Sequence, residues 1–390
     1  MARLAIIIAR LGSWPKLAKR RIASRRRPAE TVSAPSRPRV APAGGVRLSV
    51  VIPSWNGREE LAACLSALRE QTVRDIEVIV VDNGSTDGSV AFVREHHPEA
   101  IALPLSENMG FAASVNLGIE ASNGEFVALL NNDAIAEPRW AEEMLAAMDH
   151  ADIAASLMLR RDDPEVVDSA GEFFSKWGLP YRHRRGERVA ALGGEEYPEI
   201  FAASGGASIY PRRVLGHIGV FDPQYFAYLE DVDLGFRARL AGYRIVLAPR
   251  ARVLHGVGAT AGRLGDFQLH QFIKNSHLLL LKNVPLALLV RMLPRFAVVQ
   301  AHLFVAALRR RAVAAALRAY AATAVSLPTI LVKRRRVQRL ARAARPDIEP
   351  WLTDQWPMDT DPLLIARSFL RARARGASCP AMPRGARRRA

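Results

Sequence analysis

Leu48-Ser-Val-Val-Ile-Pro53, and further along Ile76-Glu-Val-Ile-Val-Val81 running into Asp82-Asn-Gly-Ser85, are short apolar runs that stop abruptly at turn residues. Near-continuous apolar character, rather than alternation, marks strands covered on both faces, as in parallel sheets. Between them Leu61, Cys64, Leu65 and Leu68 recur three and four residues apart, which places them on one stripe of a helix. Strand, helix and strand make a βαβ unit. Working outward, Ile101 to Leu105 predicts a strand, Ala112 to Ala121 a helix, and Phe126 to Leu130 a strand that ends in Asn131-Asn132-Asp133. The fold class is therefore α/β. Polar residues cluster at the C-terminal ends of its strands, where loops and helix N-termini converge on ligands.

A second polar cluster lies far along the chain. Tyr228-Leu229-Glu230-Asp231-Val232-Asp233-Leu234 sets three carboxylates in four positions among apolar neighbours, and His255 follows the apolar run from Ile245. Adjacent buried carboxylates raise at least one pKa unless a cation or a proton transfer uses the charge, so a base or a metal ligand is expected here. Phe201 to Tyr210 brings Gly205-Gly206, which either lets backbone approach a ligand or makes a tight turn. Residues 160–200 are charged around Trp177 and Tyr181 and read either as an acceptor-binding insertion or as a solvated loop.

The formal charge of +17 is unevenly spread. Residues 41–308 hold 25 Lys and Arg against 32 Asp and Glu, a net of −7, so the core is acidic. Positive charge collects in residues 1–40, 309–345 and 366–390. Basic appendages around an acidic core point to an anionic surface. The acidic core and aromatic-poor tails speak against a nucleic-acid partner. Cys64 and Cys379 are the two cysteines, too few for a disulfide framework, and a reducing compartment is expected. The apolar run Leu4 to Ala9 is short for a signal-peptide core, so no export is expected.

Five ordered motifs carry a resemblance: Ser49-Val-Val-Ile-Pro53-Ser-Trp-Asn56, Val80-Val-Asp82-Asn-Gly-Ser-Thr-Asp87, Glu107-Asn108-Met-Gly110-Phe-Ala-Ala-Ser-Val-Asn116, Leu130-Asn131-Asn132-Asp133 and Phe226-Ala-Tyr-Leu-Glu230-Asp231-Val-Asp233-Leu. In order and content the chain resembles family 2 glycosyltransferases, close to their bacterial rhamnosyltransferase-like branch, over roughly residues 47–285. The resemblance implies a GT-A fold, a Rossmann-like mixed sheet flanked by helices, that binds a nucleotide-diphosphate sugar and inverts the anomeric carbon. It implies donor contacts from Pro53, Asn56, Asp82, Asn108, Gly110, Asn131, Asn132 and Gly206. Asp133 and His255 take the place of the metal ligands, with Mg or Mn as the cation. Asn131 stands where the family's Asp-X-Asp motif has its first Asp, which leaves Asp133 as the motif's one carboxylate. Asp231 matches the base, Glu230 is the alternative, and Asp233 faces away or caps the following helix. A dehydrogenase is disfavoured, because Val81-Asp82-Asn83-Gly84-Ser85 lacks the Gly-X-Gly-X-X-Gly turn. A non-catalytic glycan- or lipid-carrier-binding scaffold is the alternative function, and it has no need of Asp133 and Asp231.

Four segments are expected: a basic arm over 1–45, the GT-A domain over 46–285, apolar helices over 286–345 and a basic tail over 346–390. Ala312 to Val332 is long enough to cross a bilayer but carries Arg318 and Pro328. An interfacial helix pair gripping anionic lipid is the favoured reading, single-pass insertion and packing on the core being the others. The acceptor is then a lipid-linked or cell-surface polysaccharide, met at the cytoplasmic face of the membrane.

Overall fold

The computed structural model describes residues 46–256, 265–344 and 347–356. The basic arm 1–45 and most of the basic tail lie outside the described residues. Strands β1 (Leu48–Ser54), β2 (Ile76–Asp82), β3 (Ile101–Pro104) and β4 (Phe126–Leu130) are parallel and lie in the order β3-β2-β1-β4. Helices α1 (Arg58–Arg69), α2 (Ser89–His96) and α3 (Phe111–Ala121) connect them. All seven residues of β1 are buried. Leu48, Val50 and Ile52 enter one apolar core with Leu61, Cys64, Leu65 and Leu68 of α1, while Val51 enters the core on the opposite face with Ala112, Val115 and Ile119 of α3. Both faces are covered, which is why the strand reads as continuously apolar. Gly118 is required for this layer, because a Cβ there would stand 2.3 Å from Cγ1 of Val51. Pro53 lacks a ladder N–H and sits beyond the last β1–β4 pair, Val51 with Leu129, where that donor is not needed.

Past β4 the sheet becomes mixed. Strand β10 (Ala207–Pro211) lies antiparallel between β4 and β6 (Ile153–Arg160), followed by β11 (Ile245–His255) and β5 (Ala134–Ala136), with β7 (Asp163–Ser169) antiparallel on β6. A small second sheet joins β8 (Glu172–Ser175), β9 (Pro180–Arg182) and β12 (Leu352–Thr353). Much of the 160–200 segment is thus folded: Asp168, Glu172, Phe174 and Tyr181 are all buried. A fully solvated loop does not describe it, although residues 160–162, 164–165 and 185–188 and those around Gly193 and Gly194 are exposed.

Helices α4 (Trp140–Ala147), α5 (Arg212–Ile218) and α6 (Glu230–Leu240) complete the sheet's cover. Helices α7 (Gly265–Asn283), α8 (Leu286–Arg309) and α9 (Val313–Ala344) follow. Pro285 is a turn between α7 and α8, and α9 packs along α7, so the division expected at residue 285 is not a break in packing. Residues 46–285 and the following helices fall in one compact unit. Helix α7 is polar early because its polar side chains point inward. Asn275, fully buried, brings Nδ2 to 3.0, 2.9 and 2.7 Å from the carbonyls of Tyr225, Ala227 and Tyr228. These carbonyls belong to a turn in which Phe226, Tyr228 and Leu229 have φ of 65°, 72° and 69°. Left-handed non-glycine backbone costs roughly 1–3 kcal/mol per residue and persists only where surroundings enforce it. The turn ends at the first residue of α6, Glu230.

Candidate active site

The first group of site residues lines the C-terminal ends of β1 and β2. Asp82, 3% exposed, accepts a 3.0 Å hydrogen bond from the Ser85 amide through Oδ2. Its Oδ1 is buried at the C-terminal end of β2 with no hydrogen-bond partner, an exception among buried polar atoms. Asn56, at φ 50°, ties the β1 loop to the β2 loop: its Oδ1 accepts from the Thr86 amide at 2.8 Å and its own amide donates to Ser85 Oγ at 2.9 Å. Asn108 shapes its loop, its Oδ1 accepting from Asn83 Nδ2 at 3.0 Å and from the Gly110 amide at 2.9 Å. Gly110 has φ +86° and leaves no room for a Cβ, which would stand 2.6 Å from the Phe226 carbonyl. It therefore locks this loop to the turn that leads into α6. Asn108 Oδ1 and Gly110 are engaged in building the loop.

The second group sits where β4 and β11 end and β5 begins. Residue pairing sets His255 opposite Ala134, next to Asp133, and the Gly256 amide donates to the Asp133 carbonyl at 3.0 Å. His255 Nε2 lies 3.3 Å from Asp133 Oδ1, and on the ring's other side Nδ1 lies 3.0 Å from Asp168 Oδ2. Burial draws the imidazole pKa down, but the two carboxylates outweigh it and hold it at about 9. Asp168 is opposed by burial and yet sits at about 2, held there by His255, Arg182 and Arg185. Arg182 Nη1 is 3.0 Å from both Asp168 oxygens. Asn132 turns Nδ2 toward Ser54 Oγ at 3.4 Å, joining this group to the end of β1.

A carboxylate and an imidazole side by side are a donor set that would fit a divalent ion taking its remaining ligands from other oxygens. Among the described residues no group of three or more His, Cys, Asp or Glu side chains forms a metal cage.

The third group is the N-terminus of α6. Asp231 is half-buried, and Oδ2 accepts from the Gly205 amide at 2.9 Å while Oδ1 accepts from its neighbour Val232 at 2.8 Å. Burial raises its pKa from the usual aspartate value, opposed by these two N–H donors and by Arg182. Glu230 is 6% exposed and its Oε2 is buried without a partner. Burial, then the Asp231 charge, push its carboxyl far up. Of the adjacent pair, Asp231 holds the charge, because it has the amide donors and the helix N-terminus. Gly205 and Gly206 bridge the second and third groups: one binds Asp231, and the other accepts at its carbonyl from the Asn131 amide at 2.9 Å and approaches Asn131 Nδ2.

Asp233 faces away from this site, as one of its two readings had it, and it is not a cap. It is fully buried and receives hydrogen bonds from Tyr225 Oη, Arg237 Nε, Lys282 Nζ and Asn283 Nδ2 at 3.1, 3.0, 2.9 and 2.8 Å. Three residues at the site are given no role by the sequence: Asp168, Glu172 and Arg182. Glu172 is buried, and burial with the Asp231 charge lifts its pKa to about 8. Strand β8 pairs it with Arg182.

Comparison with known proteins follows the same lines. A family model described as Glycosyl transferase family 2 matches residues 49–219. An N-acetylglucosaminyl-diphospho-decaprenol L-rhamnosyltransferase of Mycobacterium tuberculosis is 30% identical over 246 residues, covering 55% of this chain and 78% of that protein. The putative glycosyltransferase EpsH of Bacillus subtilis is 36% identical over 109 residues, 27% of this chain and 32% of that protein. Among solved structures, GalNAc-T7 with UDP, GalNAc and Mn2+ superposes with a TM-score of 0.50 at 16% identity, over 61% of this chain and 48% of that one, a likeness of fold alone.

Proposed function

Because the chain belongs to glycosyltransferase family 2 and has the GT-A fold, we propose that it moves a sugar, rhamnose in the first instance, from a nucleotide-diphosphate donor to a hydroxyl of a lipid-linked or cell-surface polysaccharide acceptor, inverting the anomeric carbon. The observation that carries this reading is the Gly205-Gly206 bridge, which sets the Asp231 carboxylate and the Asn131-Asn132-Asp133 turn on adjoining backbone. Asp82 Oδ1 receives a donor from the nucleoside, and the loops carrying Asn56 and Asn108 wall that end. Asp133 and His255 would hold Mg or Mn, which would supply positive charge against the departing diphosphate. Asp231 accepts the acceptor hydroxyl's proton as the oxygen attacks, on the face opposite the leaving group. Burial raises the Asp231 pKa, which makes its carboxylate a better proton acceptor, and Glu230 beside it, pushed further up by burial and by the Asp231 charge, offers a hydrogen bond to an acceptor oxygen.

The rhamnosyl choice leans on the likeness to the M. tuberculosis rhamnosyltransferase, and N-acetylglucosaminyl-diphospho-polyprenol is the acceptor to test first. A lipid-borne acceptor suits the surface of α8 and α9. Leu286, Val290, Leu293, Val305 and Leu308 form one exposed apolar stripe on α8, and Leu317, Val325 and Leu331 form another on α9. Residues 286–344 contain no Asp or Glu. The apolar windows of the two helices are 33% and 28% buried, which leaves most of their surface for lipid. We read them as lying on the anionic inner face of the cell membrane.

Thermal denaturation with dTDP-, UDP- and GDP-sugars, with and without Mn, tests the donor site. A ligand at a hundredfold its Kd stabilises by about 2.7 kcal/mol. A Mn-dependent shift with one nucleotide class, lost in Asp133→Ala, is expected. No shift with any of the three would refute the donor reading.

A further inference from the structure

His255 is held from both sides. Nε2 faces Asp133, while Nδ1 faces Asp168 at 3.0 Å, and Asp168 is buried to 1% exposure. Asp168 is itself fixed, with both oxygens 3.0 Å from Arg182 Nη1 and Oδ1 3.6 Å from Arg185 Nε. Its place follows from pairing: β7 folds back on β6, Ser169 opposite Met158, and β11 lies parallel on β6 with His255 opposite Arg160. One strand, β6, thereby sets the distance between the carboxylate and the imidazole. A buried carboxylate charged at such a position costs several kcal/mol unless partners return it, and the partners here are two arginines and a histidine.

Given the proposed metal ligands, on which this step rests, we propose that Asp168 is a positioning residue: it accepts the Nδ1 hydrogen of His255 and so turns Nε2 toward Asp133 as a cation ligand. Imidazole ligands to metals are commonly oriented by a carboxylate on their far nitrogen, and loss of that carboxylate weakens metal affinity by about 10- to 100-fold. The segment from β7 to Arg185, which supplies Asp168, Arg182 and Arg185, then supports the ligand set without touching the ion.

The competing role for Asp168 is to hold its own segment through Arg182, and a double-mutant cycle separates the two. Mn2+ affinity is measured by electron paramagnetic resonance of free Mn2+, with dTDP, UDP and GDP in turn, on wild type, Asp168→Ala, His255→Ala and the double variant. Nucleotide affinity is measured in parallel in EDTA. The expected result is an Mn2+ affinity about 10- to 100-fold lower in Asp168→Ala, a smaller loss in Asp168→Asn, which keeps an acceptor for Nδ1, and no added loss when His255 is already alanine. Unchanged metal-free nucleotide affinity is also expected. Wild-type Mn2+ affinity in Asp168→Ala overturns the proposal, as does an equal loss on top of His255→Ala or a loss of metal-free nucleotide binding. If His255→Ala leaves Mn2+ affinity at the wild-type value, the ligand assignment itself falls and this inference falls with it.

Discussion

Replacing Asp233 by Asn probes the joint between the catalytic helix and the C-terminal helices. The carboxylate is fully buried and its partners come from three elements: Arg237 one turn along α6, Lys282 and Asn283 at the end of α7, and Tyr225 in the turn before α6. Burial alone would raise its pKa, yet Lys282 and Arg237 depress it well below the carboxylate range. Asn keeps the shape but removes the charge and points an NH2 at donors. Lys282 retains Asp222 at 2.8 Å, and Arg237 retains the carbonyls of Ile218, Gly219 and Val220. The cations are thus partly compensated, and the loss should fall at or just below the roughly 3–5 kcal/mol for breaking a buried pair. Urea unfolding followed by tryptophan fluorescence should show a lower midpoint at unchanged slope. Because the folded-state pKa is depressed, the stabilisation from Asp233 is complete above its unfolded pKa of about 3.9 and disappears as pH falls below it. The gap between wild type and variant should therefore narrow in acid. A loss under about 1 kcal/mol at pH 7 would refute the view that this buried cluster anchors α6.

Three further outcomes follow from the same geometry. Glu172 has a folded pKa of about 8 against about 4.3 unfolded, so its contribution is full below pH 4 and lost as pH rises through 8. Glu172→Gln should gain stability over wild type at pH 9 relative to pH 5, and an equal difference at both pH values would contradict the assignment. Gly110→Ala, at φ +86° with its new Cβ 2.6 Å from the Phe226 carbonyl, should cost roughly 1–3 kcal/mol in thermal unfolding and lower turnover; wild-type values of both would refute the lock between the loops. Flotation with phosphatidylglycerol vesicles should capture the protein, capture should weaken with salt, and Val325→Glu, at a side chain 82% exposed, should reduce it. Equal capture by neutral vesicles at all salt concentrations would exclude an anionic surface as the partner.

The half of the sheet formed by β1, β2 and β4 was legible because each strand is covered on both faces and stops at a polar turn, a pattern that one short window contains. The helical stripe Leu61, Cys64, Leu65 and Leu68 is buried as its spacing predicts. Asp133 and His255 stand side by side as the motif order implied. Strand β5 is only three residues long and owes its existence to β11, so no local pattern announces it. Asp168 sits in Arg161-Asp-Asp-Pro-Glu-Val-Val-Asp168-Ser, where charge dominates, and its burial is made by β6 and by Arg182 from another strand. The usable hint was Val166-Val167 before it and Phe173-Phe174 after it, apolar pairs that a solvated loop would not need. No expected element covers the described helix α7, Gly265–Asn283, because Lys274 and Asn275 look like surface residues until the turn they hold is in view.

The measurement that bears most directly on the proposed chemistry is transfer of labelled rhamnose from dTDP-rhamnose to N-acetylglucosaminyl-diphospho-polyprenol by wild type and Asp231→Asn, with donor affinity measured on both. Asn keeps an oxygen for the Gly205 amide and loses the proton acceptor. The account predicts that turnover falls by roughly 10²- to 10⁴-fold while donor affinity is retained. Normal turnover in Asp231→Asn would contradict it.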